Sequence, residues 1–159
     1  MRLTNFTDYA LRVLMYAGTH GDRLVTIEET AEAYGISRAH LMKIVNLLTR
    51  AGYLRAVRGH SGGLALARRP SKIQLGEVMR ATEPDFALVE CFTADNHCRI
   101  TPRCRMRGAL QEALGAFWQT LDRYTLADLL LAPEDFEAIS HKRHASVDEP
   151  IGRRLNEQR

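Results

Sequence analysis

The fold of this 159-residue chain is decided by residues 26–67, TIEETAEAYGISRAHLMKIVNLLTRAGYLRAVRGHSGGLALA. Thr26 and Glu29 have the spacing of a capping box, which predicts a helix that ends at Tyr34, before Gly35. Ser37 is a favoured N-cap residue and predicts a second helix. The apolar side of this second helix consists of Leu41, Ile44, Val45 and Leu48. Two short helices joined by a glycine turn predict a helix-turn-helix.

The segment after the second helix predicts a β-hairpin. Gly52 closes the helix, and we expect it in the left-handed conformation. Residues 53–67 then alternate between apolar and polar side chains, pass through three glycines, and alternate again. A helix-turn-helix followed directly by a hairpin is a winged helix. The sequence therefore predicts a mainly α protein with a small β-hairpin wing.

Helices are also predicted on both sides of this motif. One runs from Thr7 to about His20, and a short one runs from Ser71 to about Thr82. A longer helix is expected from about Met106 to Tyr124. Its apolar residues are spaced by four and three, as in a coiled coil: Leu110, Leu114, Phe117, Leu121 and Tyr124. We expect this face to pair with a second copy of the chain, which makes the segment a long dimerisation helix.

The chain is predicted to divide into four parts. Residues 1–82 form the winged helix-turn-helix DNA-binding domain, and residues 83–105 form a cysteine-containing, cluster-binding loop. Residues 106–132 form the dimerisation helix and a short terminal helix. Residues 133–159 are polar, lack periodicity and predict a flexible tail.

Composition excludes several classes of protein. With 45% hydrophobic and 26% charged residues, the chain has the composition of an ordinary globular protein. Its net charge of +3 makes it only mildly basic. No stretch approaches the roughly 18 apolar residues of a membrane span, and the first residues carry no secretory signal. We expect a cytoplasmic protein without a membrane partner.

The distribution of charge is more informative than its sum. Residues 33–76 contain no acidic side chain. The same segment contains eight basic residues: Arg38, Lys43, Arg50, Arg55, Arg58, Arg68, Arg69 and Lys72. A solvated surface normally mixes both signs, whereas closely spaced DNA phosphates favour one. The segment therefore predicts binding to double-stranded DNA.

Candidate DNA contacts follow from the docking geometry of helix-turn-helix proteins. The first turns of the second helix normally enter the major groove, and they carry Ser37, Arg38, His40 and Lys43. Arg38 can bind guanine through two hydrogen bonds, while Lys43 or Ser37 can hold phosphate. Arg58 and His60, at the hairpin tip, are candidates for a minor groove.

Three cysteines, Cys91, Cys98 and Cys104, lie within fourteen residues. Thiolates gathered in this way favour a metal or an iron–sulfur cluster, and the long spacings fit zinc knuckles poorly. Neighbouring arginines would offset the negative charge of such a cluster. Three unligated thiols are the alternative, and His97 could complete a zinc site. A fourth cluster ligand must be a carboxylate, histidine, water or a group from another subunit.

These features together resemble a known family. The relevant segments are residues 3–12 (LTNFTDYALR), the helix-turn-helix, the wing at residues 57–63 (VRGHSGG) and the three cysteines. They are similar to the iron–sulfur winged-helix transcriptional repressors that include NsrR and IscR. The likeness covers about residues 1–131. Residues 98–105 (CRITPRCR) and 121–129 are especially similar to the nitric-oxide-sensing NsrR branch.

The resemblance implies a homodimer with one iron–sulfur cluster per subunit, either 4Fe–4S or 2Fe–2S, held by Cys91, Cys98 and Cys104. In the IscR branch, a histidine three residues after the last cysteine completes the cluster, but Arg107 stands there in this chain. In the NsrR branch, an aspartate on the first helix of the partner subunit does so, and Asp8 matches it. The interval between the first two cysteines is longer than usual in the family, which leaves His97 as a rival ligand.

The resulting hypothesis is a nitric-oxide-sensing transcriptional repressor. It binds promoter DNA as a homodimer and is released when its iron–sulfur cluster is nitrosylated. One alternative is a regulator of the same fold that senses iron–sulfur status or redox state. A zinc-stabilised or thiol-based protein is a weaker alternative. No phosphate-binding glycine loop, HExxH motif or evident nucleophile–base pair indicates an enzyme.

Overall fold

The computed structural model describes residues 2–59 and 61–134. In these ranges the helices are α1 (Asn5–Thr19), α2 (Ile27–Tyr34), α3 (Arg38–Arg50), α4 (Leu75–Thr82) and α5 (Arg105–Leu121). The strands are β1 (Leu54–Val57) and β2 (Gly63–Leu66). Short 3₁₀ turns occupy Pro70–Lys72, Glu90–Phe92, Thr101–Arg103 and Leu126–Leu129. The mainly helical fold with one small hairpin confirms the predicted fold class.

The helix-turn-helix forms through the predicted end residues. The Thr26 hydroxyl accepts a hydrogen bond from the Glu29 amide at 3.1 Å, and this fixes the start of α2. Gly35 ends α2 with φ of 65°, a left-handed conformation that glycine adopts without steric cost. The Ser37 hydroxyl then accepts from the His40 amide at 3.4 Å and caps α3. The left-handed Gly52 predicted after α3 is also confirmed, with φ of 75°.

The wing is an antiparallel pair in which Leu54 lies opposite Leu66 and Val57 opposite Gly63. A backbone bridge joins it to the segment before α2. The Val25 amide donates to the Leu64 carbonyl at 2.9 Å, and the Leu64 amide donates back to Val25 at 2.7 Å. The hairpin is therefore held to the residue that precedes the α2 cap.

The core lies between α1 and α3. The hydrophobic side chains that α1 buries are Ala10, Val13, Leu14, Tyr16 and Ala17, and those of α3 are Leu41, Ile44, Val45 and Leu48. Burying one large aliphatic side chain stabilises a fold by about 1.5–3 kcal/mol. The same cluster includes Leu54 and Leu64 of the wing and Val78 of α4, so wing and helices share one core.

Two helices differ from their predicted bounds by three residues or more. The helix predicted from Ser71 begins at Leu75, because Pro70 starts a separate 3₁₀ turn and Ile73 is extended into the core with 1% exposure. The last helix ends at Leu121 instead of Tyr124. Backbone pairing causes this difference: the Leu75 amide donates to the Tyr124 carbonyl at 3.0 Å.

The segment after α5 returns to the winged-helix core. The Leu126 amide donates to the Ile73 carbonyl at 2.8 Å, and the Leu126 side chain is buried in the core cluster. Thr125 and Asp128 form a capping box around the last 3₁₀ turn. Residues 135–159, which include most of the predicted flexible tail, lie outside the described residues. No helix in the described part is long and apolar enough to cross a membrane.

We expect adjacent substitutions on α3 to separate packing from surface effects. Leu41→Ala should lower the free energy of unfolding by about 2–5 kcal/mol, because Leu41 is fully buried against α1. Met42→Ala should change it by less than about 0.5 kcal/mol, because Met42 is exposed. Urea unfolding followed by far-ultraviolet circular dichroism measures both. Equal losses for the two variants would contradict the orientation of α3.

Candidate DNA interface and cysteine site

The basic segment forms an exposed face on α3 and the wing. All eight basic side chains of residues 33–76 are exposed. The exposed side of α3 carries Arg38, Ala39, His40, Met42, Lys43, Asn46 and Arg50. Because the other side of α3 packs against α1, this row is the part of the helix available to a groove of DNA.

The four predicted α3 contacts lie together at the N-terminal end of this helix, but their surroundings differ. The Ser37 hydroxyl is already engaged, because it accepts a hydrogen bond from the His40 amide as the N-cap of α3. The His40 ring faces the Tyr9 ring, with centroids 6.4 Å apart, while Lys43 is exposed one turn further on. Arg58 is exposed at the end of β1. His60, the second predicted wing contact, lies outside the described residues.

Arg38 has an acidic partner that the sequence reasoning did not identify. Its Nε donates to the Glu28 Oε1 at 2.6 Å, which links α3 to the first turn of α2. Both side chains are more than half exposed, so the pair is worth about 0–1 kcal/mol. Glu28 therefore competes with a phosphate or a guanine for Arg38.

Arg68 performs a different task from the other basic residues. Its Nε donates to the Gly52 carbonyl at 3.1 Å and its Nη2 donates to the Ala51 carbonyl at 3.3 Å. Its guanidinium also lies 4.9 Å from the centre of the Tyr53 ring. These contacts bind the C-terminal end of α3 to the segment that follows β2, so Arg68 helps to hold the wing against the helix.

The cysteine segment precedes α5 and is ordered by its own hydrogen bonds. The Cys98 amide donates to the Asn96 Oδ1 at 3.0 Å, and the Thr101 hydroxyl donates to the Cys98 carbonyl at 2.8 Å. Cys91 lies in one 3₁₀ turn and Cys104 at the N-cap of α5. All three cysteines are free and half-buried.

The donor set fits an iron–sulfur cluster chemically, because soft thiolates are its usual protein ligands. Exposed arginines surround these thiols at positions 99, 103, 105 and 107. The geometry of one chain does not complete the site. In residues 2–59 and 61–134, no three His, Cys, Asp or Glu side chains meet as a group able to hold a metal ion. His97 is exposed, and its amide donates to the Glu90 Oε1 at 2.8 Å.

Asp8 lies in the first turn of α1, where it forms a two-point contact with Arg12. The Arg12 Nε donates to Oδ1 at 3.1 Å, and its Nη2 lies 2.9 Å from Oδ2. The guanidinium also lies 5.9 Å and 5.7 Å from the ring centres of Tyr9 and Tyr34. Burial raises the pKa of the Tyr34 hydroxyl to about 12, so this ring stays neutral beside the pair.

Glu83 joins the start of the cysteine segment to the start of α1. Its carboxylate accepts from the Thr4 amide at 3.2 Å, from the Thr4 hydroxyl at 3.0 Å and from the Thr7 hydroxyl at 2.5 Å. Thr4 is the N-cap of α1, and Thr7 is fully buried. Charge-assisted hydrogen bonds of this kind are stronger than neutral ones, so the first turn of α1 and residue 83 are held together.

A second junction lies where α4, the cysteine segment and α5 meet. The Arg80 guanidinium donates to both oxygens of Asp122, at 2.7 and 2.6 Å, and lies 4.3 Å from the Trp118 ring centre. The Phe86 ring meets Trp118 edge-on at 4.3 Å. Arg80 thereby lowers the pKa of the Asp122 carboxyl. A Cβ on Gly76 would collide with Asp122, so glycine permits this close approach.

Residues from distant parts of the sequence make these contacts, and this explains why sequence reasoning missed them. Glu83 lies 79 positions from Thr4, and Arg80 lies 42 positions from Asp122. Glu28 could be seen only as a residue of the α2 capping turn. The one available signal was its position in the first turn of α2, five residues before the basic segment begins.

Fold and surface together define a winged helix-turn-helix regulator of transcription. Residues 3–132 match the Rrf2 family, which is described as an iron-dependent transcriptional regulator. The chain belongs to this family. The match confirms the expected family and the prediction of a DNA-binding regulator, not an enzyme.

Two relatives carry the name HTH-type transcriptional regulator NsrR. The protein from Geobacillus kaustophilus is 52% identical over 132 residues, covering 82% of this chain and 90% of that protein. The protein from Bacillus licheniformis is 46% identical over 133 residues, covering 82% and 93% respectively. Among solved structures, T. potens IscR has a TM-score of 0.66 at 24% identity, covering 81% of this chain and 85% of that one. This last likeness confirms the fold.

We expect Glu28→Gln to strengthen binding to any DNA duplex. The substitution removes a negative charge beside the basic face and releases Arg38 for a phosphate, so the slope of log affinity against log salt should steepen by up to about one. Fluorescence anisotropy with a random-sequence duplex at several salt concentrations measures this.

Glu32→Gln is the matched control, because Glu32 is exposed on the same helix and has the same charge. Identical salt slopes for the wild type and Glu28→Gln would show that Arg38 is already available to DNA.

Proposed function

We propose that this chain is a nitric-oxide-responsive repressor that binds promoter DNA as a homodimer in the cytoplasm. An iron–sulfur cluster, 4Fe–4S or 2Fe–2S, is held by Cys91, Cys98 and Cys104, with Asp8 of the partner subunit as the fourth ligand. The observation that carries the proposal is the set of three free thiols before α5 in a chain 46–52% identical to NsrR regulators.

The homodimer is supported by the uncovered face of α5. None of the 17 residues of this helix is buried in the single chain. Its predicted seam is half-buried at Leu110, Leu114, Phe117 and Leu121, and Tyr124, beyond the helix end, is exposed. An apolar stripe of this length on a lone helix favours a partner. A second copy would cover it and bring Asp8 of one subunit towards the cysteines of the other.

The cysteine segment supplies the chemistry of sensing. The cluster, when bound, supplies iron that nitric oxide can ligate. The half-buried thiols allow access to a diatomic molecule, while the arginines around them offset the charge of a thiolate-ligated cluster. Cys104, at the N-terminus of α5, also lies at the helix end that favours negative charge.

A contiguous set of contacts supports coupling between the cysteines and DNA. Glu83 holds the first turn of α1 to the cysteine segment, and α1 packs along its length on α3. A shift of residue 83 would move the turn that carries Asp8 and the helix against which α3 rests. Coupling of about 1–3 kcal/mol between two such sites gives a 5- to 150-fold change in affinity.

The direct test is DNA binding by protein purified without oxygen. We expect cluster-loaded dimer to retard a promoter duplex in a gel, and stoichiometric nitric oxide to release it. A Cys98→Ala variant is the control, because its binding should be weak and insensitive to nitric oxide. Equal retardation by cluster-loaded, nitrosylated and cluster-free protein would exclude sensing by this route.

The same assay distinguishes nitric-oxide sensing from a second candidate function, the sensing of iron–sulfur status or redox state. Free thiols and an iron-dependent family are equally compatible with a regulator that senses iron–sulfur status or redox state. Such a regulator would release DNA on cluster loss or oxidation and ignore nitric oxide. Analysis of iron, acid-labile sulfide and zinc in fresh protein identifies a zinc- or thiol-based protein instead.

The assignment of Asp8 has its own test. Asp8→Ala should alter the visible absorption spectrum of the cluster, because it removes an oxygen ligand, and the dimer should persist in size-exclusion chromatography. His97→Ala is the matched control and should leave the spectrum unchanged. The reverse result, in which only His97→Ala changes the spectrum, would transfer the fourth position to His97.

A further inference from the structure

Met42 is an apolar residue in the centre of a polar, DNA-facing row. The large hydrophobic side chains exposed in the described part of the chain are Met42, Val57, Ile100, Met106, Tyr124 and Leu131. Met42 is the one among them on α3, and its side chain is 46% exposed. The core does not require it, because the neighbouring residues Leu41 and Ile44 complete the contact with α1.

Met42 lies on α3 between two residues whose side chains can form hydrogen bonds with bases. Arg38 lies four residues before it and Asn46 four residues after it, and all three are exposed. Residues four apart on a helix are neighbours on its surface, about 6 Å apart along the axis. That distance is slightly less than two base-pair steps of about 3.4 Å. Consecutive members of the row therefore meet different base pairs.

The chemistry of the major groove supplies one apolar group for such a side chain. Arginine pairs with guanine and asparagine with adenine through two hydrogen bonds each, whereas the thymine C5-methyl group is recognised by apolar contact. A methionine side chain is unbranched and polarizable and adapts to such a surface. Ala39, exposed one turn before Met42, leaves room beside it.

We propose that Met42 determines part of the DNA sequence preference by packing on the methyl group of a thymine, between the base pairs contacted by Arg38 and Asn46. The inference rests on the docking of α3 in the major groove under the proposed function. It adds a preference for thymine that phosphate contacts cannot provide, because such contacts carry no direct information about sequence.

The test replaces individual thymines with deoxyuridine, which lacks only the methyl group. A duplex is first selected from a random pool by cluster-loaded wild-type dimer, and affinities are measured by fluorescence anisotropy. At one thymine in each half-site, deoxyuridine should weaken wild-type binding about four-fold, the equivalent of losing one buried methyl group. For Met42→Ala, the same replacement should have no effect, because the methyl group has already lost its partner.

Two variants serve as controls. Met42→Leu keeps an apolar side chain and should retain sensitivity to deoxyuridine. Leu131→Ala removes a comparably exposed apolar side chain, 40% against 46% for Met42, from the segment after the last 3₁₀ turn, and should behave as wild type. Circular dichroism and binding to a random-sequence duplex show that each variant is folded and keeps its phosphate contacts.

The outcomes are distinct. Deoxyuridine effects that are absent in the wild type, or equal in wild type and Met42→Ala, overturn the inference while leaving the regulator and its signal intact. Failure of the wild type to select any sequence overturns the docking of α3 and, with it, the inference. If nitric oxide fails to release the DNA while the sensitivity to deoxyuridine is retained, only the proposed signal is overturned.

Discussion

The packing of α1 on α3 is the constraint on which the rest of this structure depends. Ala10, Val13, Leu14 and Ala17 form the buried face of α1, and the buried residues of α3 pack against this face. Because interiors are packed as densely as crystals, neither helix can shift without the other. The first turn of α1 carries Asp8, and the opposite side of α3 carries the exposed row with the basic residues Arg38, Lys43 and Arg50. A displacement of the first turn of α1 would therefore be transmitted to the exposed face of α3, which is the proposed DNA contact surface.

Acidic and basic side chains are distributed differently between the structural contacts and the basic face of α3 and the wing. The acidic residues that hold the fold together lie outside the basic face: Glu83 binds the α1 cap and Asp122 binds Arg80. Glu28 and Glu77 are the exceptions, since Glu28 pairs with Arg38 and Glu77 with Arg68. Arg68 is the opposite exception, because it belongs to the basic segment by sequence but joins α3 to the wing. Positive charge on the face is thus partly structural and partly available to phosphate.

Local signals were enough to predict the winged helix, and long-range contacts were not predictable from them. The cap residues Thr26 and Ser37 and the turn residues Gly35 and Gly52 act within a few positions of themselves, so their effect can be read from the sequence. The shortened α5 could not be foreseen, because Tyr124 is drawn into backbone pairing with Leu75. The cysteines were recognisable by residue type and likeness to a family. Their mutual placement depends on packing, and the proposed fourth ligand belongs to another subunit.

Trp118 has a consequence for experiments as well as for architecture. It is the one tryptophan in the chain, and its indole lies between a ring from the cysteine segment and a cation from α4. Its intrinsic emission is therefore a built-in optical reporter at the crossing of the three elements. Any rearrangement that draws Phe86 or Arg80 away from the indole alters the local polarity and quenching it experiences. Motion at this crossing can be followed in solution without attaching a dye.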